Sequence, residues 1–370
     1  MPVDYRKSVL LLILLIGSVA ALYGWTSDAE HTQTTQKELD SLRYMLGESL
    51  FFDKRLSVTG TKSCATCHNP ELAFTDGYRK SPGALADLHF RNTPTLLNVS
   101  RQNYLNWANP DVVSLTDQMD GPLFGTQPIE MGLAKKDTAI LTKLSSNPSY
   151  ASALQALFPQ PGGHRLNWEE VKALLAVYVR TLNSFASPYD LYKTGDRNAI
   201  SSSARAGEQL FFSAAYGCSN CHRPPTFGAD STMPMQEQFA NVGLYNHGDG
   251  NYPAEDQGLY QVTRRVEDKG KFKIPTLRNL QYTVPYFHDG SAADLGEALA
   301  VFEQGGRNVT YGPWQGDGRK NSFKHALIRP VKMNTQEKQA LLDFLQSLND
   351  TITYSPKRLA IPHEEISGMF

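Results

Sequence analysis

Hydrophobic positions recur at helical spacing in several stretches of this chain, and alternation of the strand type persists nowhere. A polar stretch at 30–45 runs into an amphipathic helix that ends at Phe51-Phe52. Thr138 to Leu157, Trp168 to Leu182, Leu295 to Phe302 and Thr335 to Leu348 each place apolar residues on one helical face. Ser201-Ser-Ser-Ala-Arg205 supplies the hydroxyl side chains that cap a helix start. Between these stretches lie Gly- and Pro-rich segments: Pro82-Gly83, Pro159-Gln-Pro-Gly-Gly163 and Gly248-Asp-Gly250. The pattern predicts a mostly α fold with long loops.

One apolar run differs from the rest. Arg6 and Lys7 precede an unbroken stretch from Val9 to Ile16, extended to Trp25, with the small residues Ser18 and Ala20 near its end. This is the layout of a secretory signal peptide over residues 1–27. At about 17 residues the run also reaches the short limit for a membrane anchor. Either reading puts the body of the protein in a periplasm-like space, with a membrane attachment only if the segment stays uncleaved.

The chain also repeats itself. Gly47-Glu-Ser-Leu-Phe-Phe52 is matched by Gly207-Glu-Gln-Leu-Phe-Phe212, and Pro94-Thr-Leu-Leu-Asn98 by Pro275-Thr-Leu-Arg-Asn279. Nine residues past each Asn stands a large side chain, Trp107 in one half and His288 in the other. Within each repeat lies a C-x-x-C-H motif: Cys64-Ala-Thr-Cys67-His68 and Cys218-Ser-Asn-Cys221-His222. That spacing is the attachment site of a c-type haem. Two thiols two residues apart can add to the two vinyl groups along one porphyrin edge, and the next His becomes the proximal iron ligand. A zinc or redox C-x-x-C is the rival. With 4 Cys and 9 His in 370 residues, one such motif arises by chance in about one chain in a thousand. Here two copies use every cysteine. The expectation is two covalent haem c groups, bound by Cys64, Cys67, His68, Cys218, Cys221 and His222, in two cytochrome-c-like domains related by internal duplication.

Composition adds an exclusion. Lys and Arg total 36 against 37 acidic residues, a net charge of −1, so nothing points to nucleic acid.

Two haems can carry electrons only, or deliver them to a site that does chemistry. A peroxide-activating haem needs an openable face and an acid–base group above it. In the first half, Glu130 lies in a loop among apolar residues (Pro128-Ile-Glu-Met-Gly132) and Gln118 is a second polar candidate. Both also read as ordinary surface and helix residues. Trp107 reads as core packing or as an electron relay.

Further motifs carry a family resemblance. Leu46-Gly-Glu-Ser-Leu-Phe-Phe-Asp53, Arg55-Leu-Ser57, Ser63-Cys-Ala-Thr-Cys-His68, Ala73-Phe-Thr-Asp-Gly77, Arg91-Asn-Thr-Pro-Thr-Leu-Leu-Asn98, Glu130-Met-Gly132, Phe272-Lys-Ile-Pro-Thr-Leu-Arg-Asn279 and Pro285-Tyr-Phe-His-Asp-Gly290 together resemble the bacterial di-haem cytochrome c peroxidase/MauG family. The resemblance spans about 43–349. Asn106-Trp-Ala-Asn-Pro110, Pro122-Leu-Phe-Gly125 and Gly305-Gly-Arg307 resemble its MauG-like (MbnH-like) branch, found paired with a copper-binding partner protein.

The resemblance implies a peroxidatic haem domain over 28–195, an electron-transfer haem domain over 196–350 and a tail over 351–370. It places Gln118 and Glu130 on the distal side of the first haem and Trp107 between the haems. It implies a calcium ion held by Asn92, Thr283 and Pro285, oxygen chemistry that calcium favours. The implied activity is reduction of hydrogen peroxide with electrons from a small redox protein, a cytochrome c or cupredoxin. The alternatives are peroxide-driven oxidation of a side chain on a partner protein, as in MauG, and plain electron transfer. Two departures stand out. Where peroxidases close the second haem with Met and MauG with Tyr, this chain has Phe302, leaving Met333, Met233, Met235 or no protein ligand. His89 lies two residues before Arg91, nearer than the displaceable His of peroxidases, and reads as a ligand or as a loop residue.

Overall fold

The computed structural model describes residues 35–350 apart from Asp137 and Asp230. The apolar run at 9–25 and the tail at 351–370 lie outside the described residues, and with them the question of leader or anchor. Among the described residues no helix is long and apolar enough to cross a membrane.

The fold is mostly α. Strand among the described residues is confined to two short antiparallel pairs, Phe239–Ala240 with Phe272–Lys273 and Asn308–Val309 with Gly316–Asp317. A helix over 35–52 ends at the two phenylalanines, where the apolar pattern places its end. Trp168–Arg180 begins with a capping box in which Asn167 and Glu170 satisfy each other's backbone N–H groups. Ser201 caps Ser202–Phe212 by accepting from the Ala204 N–H at 3.0 Å. The stretch read as one helix from Thr138 to Leu157 is two, Ala139–Ser145 and Pro148–Leu157. Pro148 disfavours helix in the residue before it, and Asn147 instead caps the second helix through the Ser149 N–H.

Each half is built on one close helix crossing. In the first, Gly47 lies so near Trp168–Arg180 that a Cβ there would sit 2.1 Å from Leu174 O; in the second, a Cβ on Gly207 would sit 1.9 Å from Ala340 O in Thr335–Gln346. Only glycine lets the backbones approach this far. Aromatic rings fill the space beside each crossing: Phe51 packs on Tyr178 and Phe74, and Phe211 on Phe344 and Phe227. Gly207→Ala is therefore expected to cost about 1–3 kcal/mol, the range for overpacking. Denaturant unfolding checks this, and an unchanged midpoint would contradict it.

A buried polar seam joins the halves. Asn98 and Asn279 both adopt left-handed backbone at φ 62°. The Ser184 N–H donates to Asn98 Oδ1 at 2.8 Å, and Asn279 Nδ2 donates to Ser184 Oγ at 2.9 Å. Ser184 Oγ then donates to Asp350 at 3.0 Å. Arg91 adds a two-pronged pair to Asp256, both bonds 2.8 Å.

Candidate active site and electron path

The first C-x-x-C-H forms one helical turn, Cys64–Cys67, with the His68 N–H donating to Cys64 O at 2.8 Å. The His68 ring is turned by its second nitrogen: Nδ1 lies 2.9 Å from Phe74 O. Phe74 presents that carbonyl because its backbone is left-handed, at φ 60°. With Nδ1 donating, Nε2 keeps the lone pair that a metal needs. Burial lowers the His68 pKa, which keeps the ring neutral. The second motif reproduces this arrangement. His222 Nδ1 lies 3.0 Å from Phe227 O, Phe227 has φ 52°, and burial pushes the His222 pKa down to about 4.

No disulfide joins the four cysteines. In the chain before attachment, burial pushes the Cys64 thiol up to about 12 and the Cys67 and Cys218 thiols up to about 11. Among the described residues no three His, Cys, Asp or Glu side chains are gathered to hold a metal ion, so neither motif has the further ligands a structural zinc requires. Beside the second motif lies a cavity of about 270 Å³ whose walls include Cys218, Cys221 and His222 together with Leu299 and Leu345. An apolar hollow faced by two thiols and a correctly tautomerised imidazole fits a covalently attached porphyrin.

Glu130 lies within electrostatic reach of the first motif. Its charge acts on Cys64, Cys67 and His68, and the side chain is one-third exposed. His89 Nε2 lies 2.8 Å from Glu130 Oε1, an ion-pair distance without the alignment of a hydrogen bond. The structure thus sets His89 against Glu130. Two loops clamp each other here, with Ala84 N–H donating to Glu130 O at 2.7 Å and Ile129 N–H to Asp87 Oδ2 at 3.2 Å. Gln118 ends the short helix Leu115–Gln118 and accepts from Asn106 Nδ2 at 3.5 Å. The contacts of Glu130 and Gln118 are therefore separate.

Trp107 sits at the seam between the halves. Its Nε1 donates to Asn92 O at 2.9 Å, and its carbonyl accepts from the Lys273 N–H at 2.7 Å. It lines the same cavity as His222. So do Asn92, Thr283 and Pro285. Asn92 spends its Nδ2 on Tyr78 O at 2.8 Å, which leaves its Oδ1 for a cation.

His288 is buried and stacks on Phe272 at 3.4 Å between ring centres. Burial pushes its pKa down to about 4 from 6.5. As pH falls between these values the unfolded chain takes up a proton that the folded chain refuses, so stability present above 6.5 is lost toward 4. His288→Phe should shrink the fall in thermal midpoint over that window. An equal fall would contradict this.

Phe302 and Met333 line the cavity of the second motif, whereas Met233 packs behind that wall, against Ala240, Ile274 and Cys221, and does not itself line it. The sequence reading missed the residues that hold the YFHDG segment. Asp289 accepts from Arg307 at 3.1 Å and Tyr245 at 2.7 Å, and the charges of His288 and Arg307 hold its carboxyl down at about 2. Asp289 lies in Pro285-Tyr-Phe-His-Asp-Gly290 and Arg307 in Gly305-Gly-Arg307, but nothing in their spacing pairs residues 18 positions apart.

Comparison with known proteins accords with this geometry. Residues 41–198 match the family described as di-haem cytochrome c peroxidase. The cytochrome-c peroxidase IdrP1 of Pseudomonas sp. (strain SCT) is 33% identical over 324 residues, covering 82% of this chain and 80% of that protein. The chain belongs to the di-haem cytochrome c peroxidase family. This family member is an oxidoreductase of the peroxidase type, and haem c is the cofactor its family implies. The methylamine utilization protein MauG of Methylorubrum extorquens is 32% identical, over 82% of this chain and 77% of that protein. A crystal structure of a MauG-like protein associated with microbial copper homeostasis shares 37% identity at a TM-score of 0.81, covering 87% of this chain and 93% of that one.

Proposed function

We propose that this di-haem peroxidase works outside the cytoplasmic membrane and reduces hydrogen peroxide. Electrons would come from a small redox protein, by way of the C-terminal haem to the N-terminal haem. The observation that carries this reading is Glu130, a half-buried carboxylate whose charge reaches Cys64, Cys67 and His68 and which faces His89. A haem iron, when bound there, supplies the redox centre for cleaving the O–O bond. Glu130 holds and moves the proton: its carboxylate takes one from the bound peroxide oxygen and returns it to the oxygen that leaves as water. Each peroxide consumes two protons and two electrons and yields two waters. Gln118 orients the peroxide. Trp107 would relay the electron between the sites, a role supported by its hydrogen bond to Asn92 and its place in the lining of the second cavity.

The paired arrangements support an origin by internal duplication, with haem domains at 28–195 and 196–350 and long loops wrapped around the haems. Asn92, Thr283 and Pro285 would hold a calcium ion across the seam. The apolar run at 9–25 would direct the protein to the periplasm, as a cleaved signal or an anchor.

A second reading has its own support. The likeness to a MauG-like protein associated with copper homeostasis, and Phe302 in place of the peroxidases' Met, favour oxidation of a side chain on a partner protein after the same peroxide activation. Peroxide turnover with a reduced small cytochrome c, and separately with the protein encoded beside this one, distinguishes the two. Rapid turnover with the cytochrome is expected. Turnover only with the neighbouring protein, leaving it oxidised, would transfer the function to the second reading, and no turnover with either would refute both.

A further inference from the structure

Lys273 is a buried cation with no anion beside it. It lies in the strand Phe272–Lys273 and is 8% exposed. Its Nζ donates to the neutral oxygen of Gln102 at 2.5 Å. Among the described residues no carboxylate comes within ion-pair distance of it, and burial alone acts on its pKa, lowering it to about 8. The other deeply buried cations differ. Lys172 meets Asp120 and Glu169, each at 2.9 Å, and Arg278 meets Asp190 at 2.7 Å. An ammonium taken out of water without a counter-charge is strongly disfavoured, so such groups are found paired or neutralised.

The position supplies the missing partner. Lys273 and Gln102 both line the cavity walled by Cys218, Cys221 and His222, and Lys273 is tied through its backbone to Trp107. When Pro94-Thr-Leu-Leu-Asn98 is laid on Pro275-Thr-Leu-Arg-Asn279, Lys273 falls at the place of Asn92, so only the second half puts a cation there. A porphyrin of the haem c type brings two carboxylates into the protein on its propionate arms. Those carboxylates, like the ammonium, need an opposite charge when buried.

We propose that Lys273, held by Gln102, is the cation that binds a propionate of the porphyrin attached at Cys218 and Cys221, and that it raises that haem's reduction potential. This rests on the haem reading of the second motif. A fixed positive charge beside the ring favours the reduced state, which carries one more electron. At a separation on the order of 10 Å and an effective dielectric constant of about 20, the effect is roughly tenfold in the reduction equilibrium. Such a charge would make the second haem the readier electron acceptor, as a relay from an outside donor requires.

The crystal structure of the haem-loaded full chain tests the contact. Lys273 Nζ is expected within about 3 Å of a propionate oxygen, and a distance beyond about 4 Å from every propionate oxygen overturns the proposal. A free anion seated on Nζ overturns it as well. Spectroelectrochemical titration tests the consequence. Lys273→Gln should lower one of the two haem potentials by about 59 mV, a tenfold change for one electron, and Lys273→Arg should keep most of the native value. An unchanged potential in Lys273→Gln, or an equal loss in Lys273→Arg, also overturns it. If Lys273→Gln fails to mature, the wild-type crystal structure decides alone. A second motif that carries no haem would sink the haem reading and this proposal together; a haem present with Nζ elsewhere sinks only this one.

Discussion

Glu130→Gln is expected to slow the peroxide-driven oxidation of the haem-loaded protein by roughly 10²-fold or more, the scale of a lost general acid–base group. The substitution keeps the shape of the side chain and removes its proton chemistry. It should not disturb the fold, because the loop is held through backbone groups: Ala84 N–H on Glu130 O at 2.7 Å and Met131 N–H on Pro122 O at 3.0 Å. The side chain's own close contact is with His89, at 2.8 Å. Stopped-flow mixing with peroxide measures the rate, with covalent haem content as the control for folding. A rate equal to wild type at full haem content would remove Glu130 from the mechanism and leave it a loop residue.

Phe302→Met is expected to change the second site as strongly. Phe302 lies in the helix Leu295–Gln304 and lines the cavity faced by His222. A phenyl ring cannot ligate iron, whereas a thioether at that position can, and axial ligands move haem potentials across a range of about 0.8 V. The variant should show a methionine–iron charge-transfer band that the ferric wild type lacks, together with a raised potential at one haem. The same band in wild type would contradict this and assign ligation to Met333, which lines the same cavity. The second site would then be closed by a residue 31 positions beyond Phe302, on a different segment of the chain.

The parts of this protein that could be read in the sequence are those with a short period. Helices with one apolar face announced themselves at 35–52, Trp168–Arg180 and Thr335–Gln346, because burial against a neighbour fixes a 3.6-residue rhythm. The haem motifs were legible because two thiols and an imidazole must sit at fixed spacing to meet one porphyrin edge. The break at Asn147-Pro148 was legible in principle, since the proline was in view, but the apolar pattern ran through it. Contacts between segments far apart in the chain were not legible. His89 against Glu130, Lys273 against Gln102 and Asp289 against Arg307 join positions 41, 171 and 18 apart. No periodicity encodes such pairs, and for His89 the sequence alone favoured a loop role over a ligand's without naming Glu130 as its neighbour.

Both sites require a porphyrin held by thioether bonds. The pyridine haemochrome assay on denatured protein measures this directly, since only covalently attached haem survives unfolding and extraction. Two haems per chain are expected, one on Cys64 and Cys67 and one on Cys218 and Cys221. One haem, or none, would contradict the assignment of both sites.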